Sequence, residues 1–323
     1  MGDDADETAQ APGLARHDLA APWAVMPELL PEVGRAIRAT ARIGSDATTE
    51  LTAAAHAIGR GQMERRTGAV AVISIRGFIT PRPSLMSLLF GGGGGLEELQ
   101  AQIRGATTDD AIDAIVLDID SPGGSVSLVP ETAAVIRDAR AAKPVIAVAN
   151  TLAASAAYWL AAQADEVIVS PSGQVGSIGV LLEHADWSTY EANLGVRTTL
   201  ISAGRYKTEA NPLEPLGDEA RAALQSTVDA FYDLFVTDVA QGRNVTADHV
   251  RDGMGEGRVL PASRAVDAGL ADRVGTLEQT VARVARGDAT AAAPDATVPA
   301  RTATAPHPTV DASHILAALT GRR

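Results

Sequence analysis

AIVLDIDSPGGS, residues 114–125, decides the fold. Residues 114–119 are almost wholly apolar and bounded by turn signals, the pattern of a strand buried on both faces. Ser121 and Pro122 then force a turn, and Gly123 and Gly124 permit backbone conformations closed to other residues. Two glycines at the C-terminal end of a strand, ahead of a helix, leave backbone N–H groups bare. Such groups bind a phosphate, a thioester carbonyl or the oxyanion of a tetrahedral intermediate. Gly–Gly pairs also occur in turns with no other role, so this segment alone leaves the choice open.

Outward from this segment, short apolar strands alternate with helical stretches. AVAVISI (69–75), PVIAVA (144–149) and EVIVS (166–170) read as strands, and residues 95–106, 127–141 and 154–163 as helices. A longer amphipathic helix is expected at 217–241, with Leu224, Val228, Phe231, Phe235 and Val239 near one face. The strand GRVL and two small helices follow before residue 286. The alternation predicts a layered α/β fold with largely buried sheets.

That folded domain is expected to span residues 67–286. Before it, residues 1–66 read as a flexible acidic leader and two Ala-rich helices, with Pro31 and Glu32 at a start and Gly59 and Gly61 at an end. After it, residues 287–311 read as an Ala/Thr/Pro linker, and SHILAALTGRR as a short helix capped by Ser313, either a frayed terminus or a docking helix. The loop at 80–95 ends in five glycines, Gly91 to Gly95. It is either a disordered surface loop or a flap beside a substrate groove.

Composition excludes several function classes. A net charge of −13 opposes nucleic-acid binding. The absence of cysteine removes disulfides and thiolate metal sites, and the six histidines form no ligand pair at helical spacing. No metal or cofactor is expected. The longest apolar run, near 144–162, is broken by Asn150, Thr151 and Ser155 and does not suit a bilayer. A soluble, cytoplasmic protein is expected.

Two further segments carry chemistry. In TLAASAAYWLAA (151–162), Ser155 stands at the start of a helix among alanines, where small neighbours let a substrate backbone approach and the helix terminus favours negative charge. The same position suits an N-cap or a small packing residue. In SAGRYKTEANP (202–212), after the apparent strand VRTTLIS, stands Lys207. Only Lys207 and Lys143 among the 27 basic residues are lysines; the rest are arginines. A lysine desolvated in an apolar pocket loses its charge more readily and becomes a base, which arginine cannot do. Schiff-base chemistry is the other use, but no cofactor signature accompanies it. A lysine on the surface by chance is the plain alternative.

AIVLDIDSPGG, AASAAYW, VGSIGVL (175–181) and SAGRYKTEANP, in this order, resemble the signal peptide peptidase A family, most closely its phage head maturation protease branch. The resemblance covers about residues 67–287. It implies a Clp protease/crotonase-like fold, assembly into homo-oligomeric rings, and a serine–lysine dyad with Ser155 as nucleophile and Lys207 as general base. It further implies an oxyanion region at Gly123–Gly124, with the N–H of Ser155 or Ala156 as second donor. In single-length members the lysine can come from a neighbouring subunit. An extended peptide substrate is placed beside the segment after Gly124, at Ser125, as an added β-strand. The Ala-rich surroundings of Ser155 suit a small apolar residue next to the cut. Ala156 and Ala157 stand where the family often has two glycines. Polypeptide substrates are implied, capsid and scaffold proteins among them.

Four alternatives stay open at this level. His184, followed by Asp186, offers a Ser-His-Asp arrangement. A crotonase-like acyl-CoA enzyme would use the backbone oxyanion site but leaves Ser155 and Lys207 unexplained. A catalytically inactive scaffold on a protease fold, or a bacterial signal-peptide-peptidase-like enzyme, would share the same framework.

Overall fold

The computed structural model describes residues 22–29, 64–67, 69–83 and 95–288. The expected N-terminal helices, the glycine run before Gly95, the linker and the terminal helix lie outside them. In chain order the elements begin with β1 (Trp23–Val25), a 3-10 turn (Pro27–Leu29), β2 (Glu64–Thr67), β3 (Val70–Arg76) and α1 (Leu96–Thr108). Next come β4 (Ala114–Ser121), β5 (Gly123–Ser125), α2 (Val129–Ala142), β6 (Val145–Ala154) and α3 (Ala156–Ala161). After these follow β7 (Glu166–Val169), β8 (Gln174–Gly176), α4 (Ser188–Asn193) and α5 (Asp218–Arg243). The last are α6 (Ala247–Gly253), β9 (Val259–Pro261), α7 (Ala262–Asp267), β10 (Arg273–Val274) and α8 (Leu277–Val284).

The main sheet runs β10-β7-β6-β4-β3-β2, parallel except for β2. β4 lies inside it and is buried on both faces, as its apolar run requires. Its alternate residues serve different layers. Ile115, Leu117 and Ile119 join the large core with α1, α2 and α3. Ala114 and Val116 pack with Val70, Val72, Ile146, Val148 and Ile168 against Val284 of α8. The expected layered α/β class is what the structure has.

β6 does two jobs. Its first half pairs with β4 and β7, while Leu152–Ala154 pairs with β8. A register shift between Ile119 and Ser121 accompanies this change of partner. The outcome is that β6 delivers Ser155 to the same edge at which β4 delivers Gly123. α5 follows its expected face only in part. Phe235, Val236 and Val239 are buried, while Leu224, Val228 and Phe231, nearer its N-terminus, are only half-buried. The buried half is anchored by Asp238, which accepts from Trp159 Nε1 at 2.7 Å and from Arg137 at 3.0 Å.

VRTTLIS is not a strand. Residues 196–202 have no β partner, and Ile201 is 96% exposed. The β-branched composition satisfies strand propensity, but propensity without a neighbouring edge makes no ladder.

Candidate active site

Ser155 closes β6 and opens α3. Its backbone sits at φ 55, ψ −122, a conformation that costs a non-glycine residue free energy and persists only where surrounding structure enforces it. The enforcement is visible. Ser155 N–H donates to Gly176 O at 2.7 Å, and Trp159 N–H of the following turn donates to Ser155 O at 2.9 Å. The side chain makes no cap bond to its helix, so the N-cap role is not what holds it there. Ser155 is fully buried, and its hydroxyl reaches Gly179 O at 3.5 Å.

The two glycines are needed for different reasons. Gly123 has φ +96, and a Cβ built on it would lie 3.0 Å from both Ala154 O and Ala156 N. Gly124 is crossed by Ile79, whose carbonyl oxygen would lie 2.0 Å from an added Cβ. Ile79 holds β5 through Ile79 N–H to Gly123 O and Ser125 N–H to Ile79 O, both 2.9 Å. Gly123 and the start of α3 therefore meet at one point beside Ser155. Because Ser155 N–H is committed to Gly176, Ala156 N–H is the helix-start donor facing that point. As the first helical residue it has no intrahelical acceptor. Ala156 and Ala157 are fully buried.

Lys207 is elsewhere. It is exposed, in a turn closed by its N–H to Gly204 O at 3.1 Å. Among the described residues its ammonium makes no hydrogen bond or ion pair, and none joins it to Ser155. The desolvating pocket expected around Lys207 is thus not formed within a single copy. The reason is local: Arg205 and Tyr206 both reach Glu219 of α5, at 3.1 and 3.0 Å, and hold this turn on the surface. Lys143, by contrast, has a structural task. Its ammonium donates to Ala106 O at 2.9 Å and Asp109 O at 2.7 Å, satisfying carbonyls at the end of α1.

His184 Nε2 lies 3.3 Å from Asn211 O. Asp186 accepts from Ser188 N–H at 2.8 Å, and hydrogen bonds from Ser188 hold its carboxyl below the usual range. These residues organise the entry to α4 and make no contact with Ser155. No cluster of metal-ligating residues occurs among the described residues.

One part of the site was missed by sequence reading. Trp23–Val25 pairs antiparallel with Gly123–Ser125, in the register Trp23–Ser125, Ala24–Gly124 and Val25–Gly123. Three residues are too few to show a period, and only the apolar run WAV marked them.

The site is a buried serine held in a strained turn at a helix start, beside two backbone strands. Residues 137–291 match the family model of Peptidase family S49. It is 34% identical over 205 residues to the capsid assembly protease C of Escherichia phage lambda, covering 64% of this chain and 46% of that protein. It is 33% identical over 210 residues to the head-tail preconnector protein GP5 of Enterobacteria phage P21, covering 65% and 41%. Protease 4 of Salmonella typhi is 31% identical over 219 residues, covering 68% and 34%. The chain spans less than half the length of these relatives. A solved structure, a mutant of the 1510-N membrane-bound stomatin-specific protease in complex with a substrate peptide, overlaps at TM-score 0.42 and 16% identity, covering 68% of this chain and 80% of that one. An overlap this low adds nothing to the topology already described. No helix among the described residues is long and apolar enough to cross a membrane.

Proposed function

We propose that this chain is a serine endopeptidase with Ser155 as nucleophile and Lys207 as general base, its peptidase domain spanning residues 67–286. The observation that carries the reading is the meeting of Ser155, Gly123 and Ala156 at one point. A carbonyl placed there would face the nucleophile and, as it became tetrahedral, the backbone donors. Ser155 Oγ attacks the carbonyl carbon, and its proton passes to the neutral Lys207 amine. The amine returns a proton to the leaving nitrogen, and water then hydrolyses the ester by the reverse sequence.

Because Lys207 is exposed in one copy, the base reaches Ser155 from a neighbouring copy in a homo-oligomeric ring. The surface around Lys207 supports this. Leu194, Val196, Leu200, Ile201 and Tyr206 are all large, apolar and exposed, and a second copy covering them would also desolvate the ammonium. By likeness to the phage relatives, the substrates proposed are capsid and scaffold polypeptides, cut in the host cytoplasm during head assembly. Ser155→Ala and Lys207→Arg should each abolish hydrolysis of a casein or peptide-library substrate with the fold retained. The guanidinium keeps its proton and cannot replace the amine. Substantial activity in Lys207→Arg would remove the general-base assignment.

A further inference from the structure

We propose that Pro22–Met26 of this chain occupies its own peptide-binding cleft in the register of a substrate, with the Ala24–Val25 bond presented to Ser155. The inference rests on the peptidase reading of the site.

The strand is bound on both edges, as an extended peptide would be. On one edge Trp23 exchanges two hydrogen bonds with Leu181, at 2.8 and 2.9 Å. On the other, Pro22 O accepts from Val126 N–H at 3.4 Å, Ala24 pairs with Gly124, and Met26 N–H donates to Pro122 O at 3.3 Å. The alternation fixes the direction of every carbonyl. Trp23 faces Leu181, so Ala24 faces β5.

The position of Ala24 O sets the register. A Cβ added to Gly123 would lie 2.2 Å from Ala24 O and 3.0 Å from Ala156 N. The Ala24 carbonyl therefore borders the same point as the Ala156 backbone nitrogen at the start of α3, beside the nucleophile. Trp23 O is held by Leu181, Pro22 O by Val126 and Met26 O by Leu29 N–H, and by the strand's alternation Val25 O lies on the Leu181 side with Trp23 O.

The side chains read as a specificity pattern. Ala24 is fully buried, so a small side chain stands at the residue before the bond. Trp23 is buried against Phe78, with ring centroids 5.5 Å apart. An aromatic residue followed by a small one, then Val, is the sequence this cleft accepts. Because the occupant is tethered, an added peptide must compete with a strand always at hand, and its apparent affinity falls by the fraction of time the cleft is empty.

The test uses the full-length chain carrying Ser155→Ala, so that binding is read without catalysis. A fluorescein-labelled peptide of sequence PWAVM is titrated against this chain and against the same chain with Trp23→Asp and Ala24→Pro added. Those changes put a charge against Phe78 and remove the Ala24 N–H, so the strand is released. The released variant should bind at least about tenfold more tightly. Equal affinities would overturn the proposal. Hydrogen exchange on the unreleased chain gives a second reading that needs no strand substitution. Trp23, Ala24 and Met26 amides should be protected and lose protection when unlabelled peptide is added in excess, and fast exchange from the outset would also overturn it. Restoring Ser155 in the released variant tests the register. Cleavage should fall between Ala and Val of the probe, and a cut at another bond would refute the assigned register. Binding without any cleavage would count against the peptidase reading alone.

Discussion

Replacing Gly124 by alanine tests whether the cleft is built as described. The added Cβ would lie 2.0 Å from Ile79 O and 2.6 Å from Ile79 N, where an ordinary contact begins at 3.4 Å. Both neighbours are backbone atoms, so no side chain can turn aside. β5 must move by more than an ångström, and the two 2.9 Å bonds that tie it to Ile79 are lost or stretched. At roughly 1 kcal/mol net for each bond and about 1–3 kcal/mol for overpacking, the cost is about 3–5 kcal/mol. Gly105 supplies the control. It lies in α1 with nothing within 4 Å of an added Cβ, so Gly105→Ala should stabilise by about 0.5–1 kcal/mol. Urea unfolding followed by circular dichroism measures both. Hydrolysis should fall at least about tenfold in Gly124→Ala, since a shift of an ångström misplaces reacting groups, and stay unchanged in Gly105→Ala. A Gly124→Ala chain within about 1 kcal/mol of the parent, with full activity, would refute the account of β5.

Three further outcomes follow from the site and its supports. His184→Ala should keep most of the activity, because its imidazole faces Asn211 rather than Ser155; loss of hydrolysis with the fold intact would restore the histidine-base reading. Lys207→Ala should abolish hydrolysis with the fold retained, because it removes the proposed base, and substantial remaining activity would contradict a lysine base. Asp272→Asn should destabilise at neutral pH and cease to matter in acid, as pH-dependent unfolding will measure. Burial raises the Asp272 carboxyl, but hydrogen bonds and charge from Arg243, with Val167 N–H, outweigh it and leave the pKa lowered. The ionised group therefore stabilises fully above its unfolded value of about 3.9, and this is lost as pH falls through the lower folded value.

The sheet was legible because its strands are buried on both faces. AIVLDI and PVIAVA carry no polar alternation that another element would explain, and each is a parallel strand. The Gly123–Gly124 turn was legible for a related reason, since positive φ at Gly123 and close backbone approach at Gly124 leave few residue choices, whereas Ser155 stood out by its alanine neighbours and by the resemblance. Other features depend on partners that a local pattern cannot name. VRTTLIS has strand composition, but no edge is offered to it. A base role asks for a desolvated Lys207, yet one copy leaves it exposed. Trp23–Val25 became a strand only because β5 and Leu181, about a hundred residues or more further on, provide two edges for it.

Mixing two inactive variants tests the central claim most directly. Ser155→Ala keeps Lys207, and Lys207→Ala keeps Ser155. If each site draws its serine from one copy and its lysine from the next, unfolding and refolding an equal mixture should regenerate sites that hold both groups. With random assembly about a quarter of all sites qualify, so hydrolysis should recover to about 25% of the unaltered protein, from none in either variant alone. A mixture as inactive as its components, while the unaltered protein refolds to full activity, would contradict a site completed by a second copy.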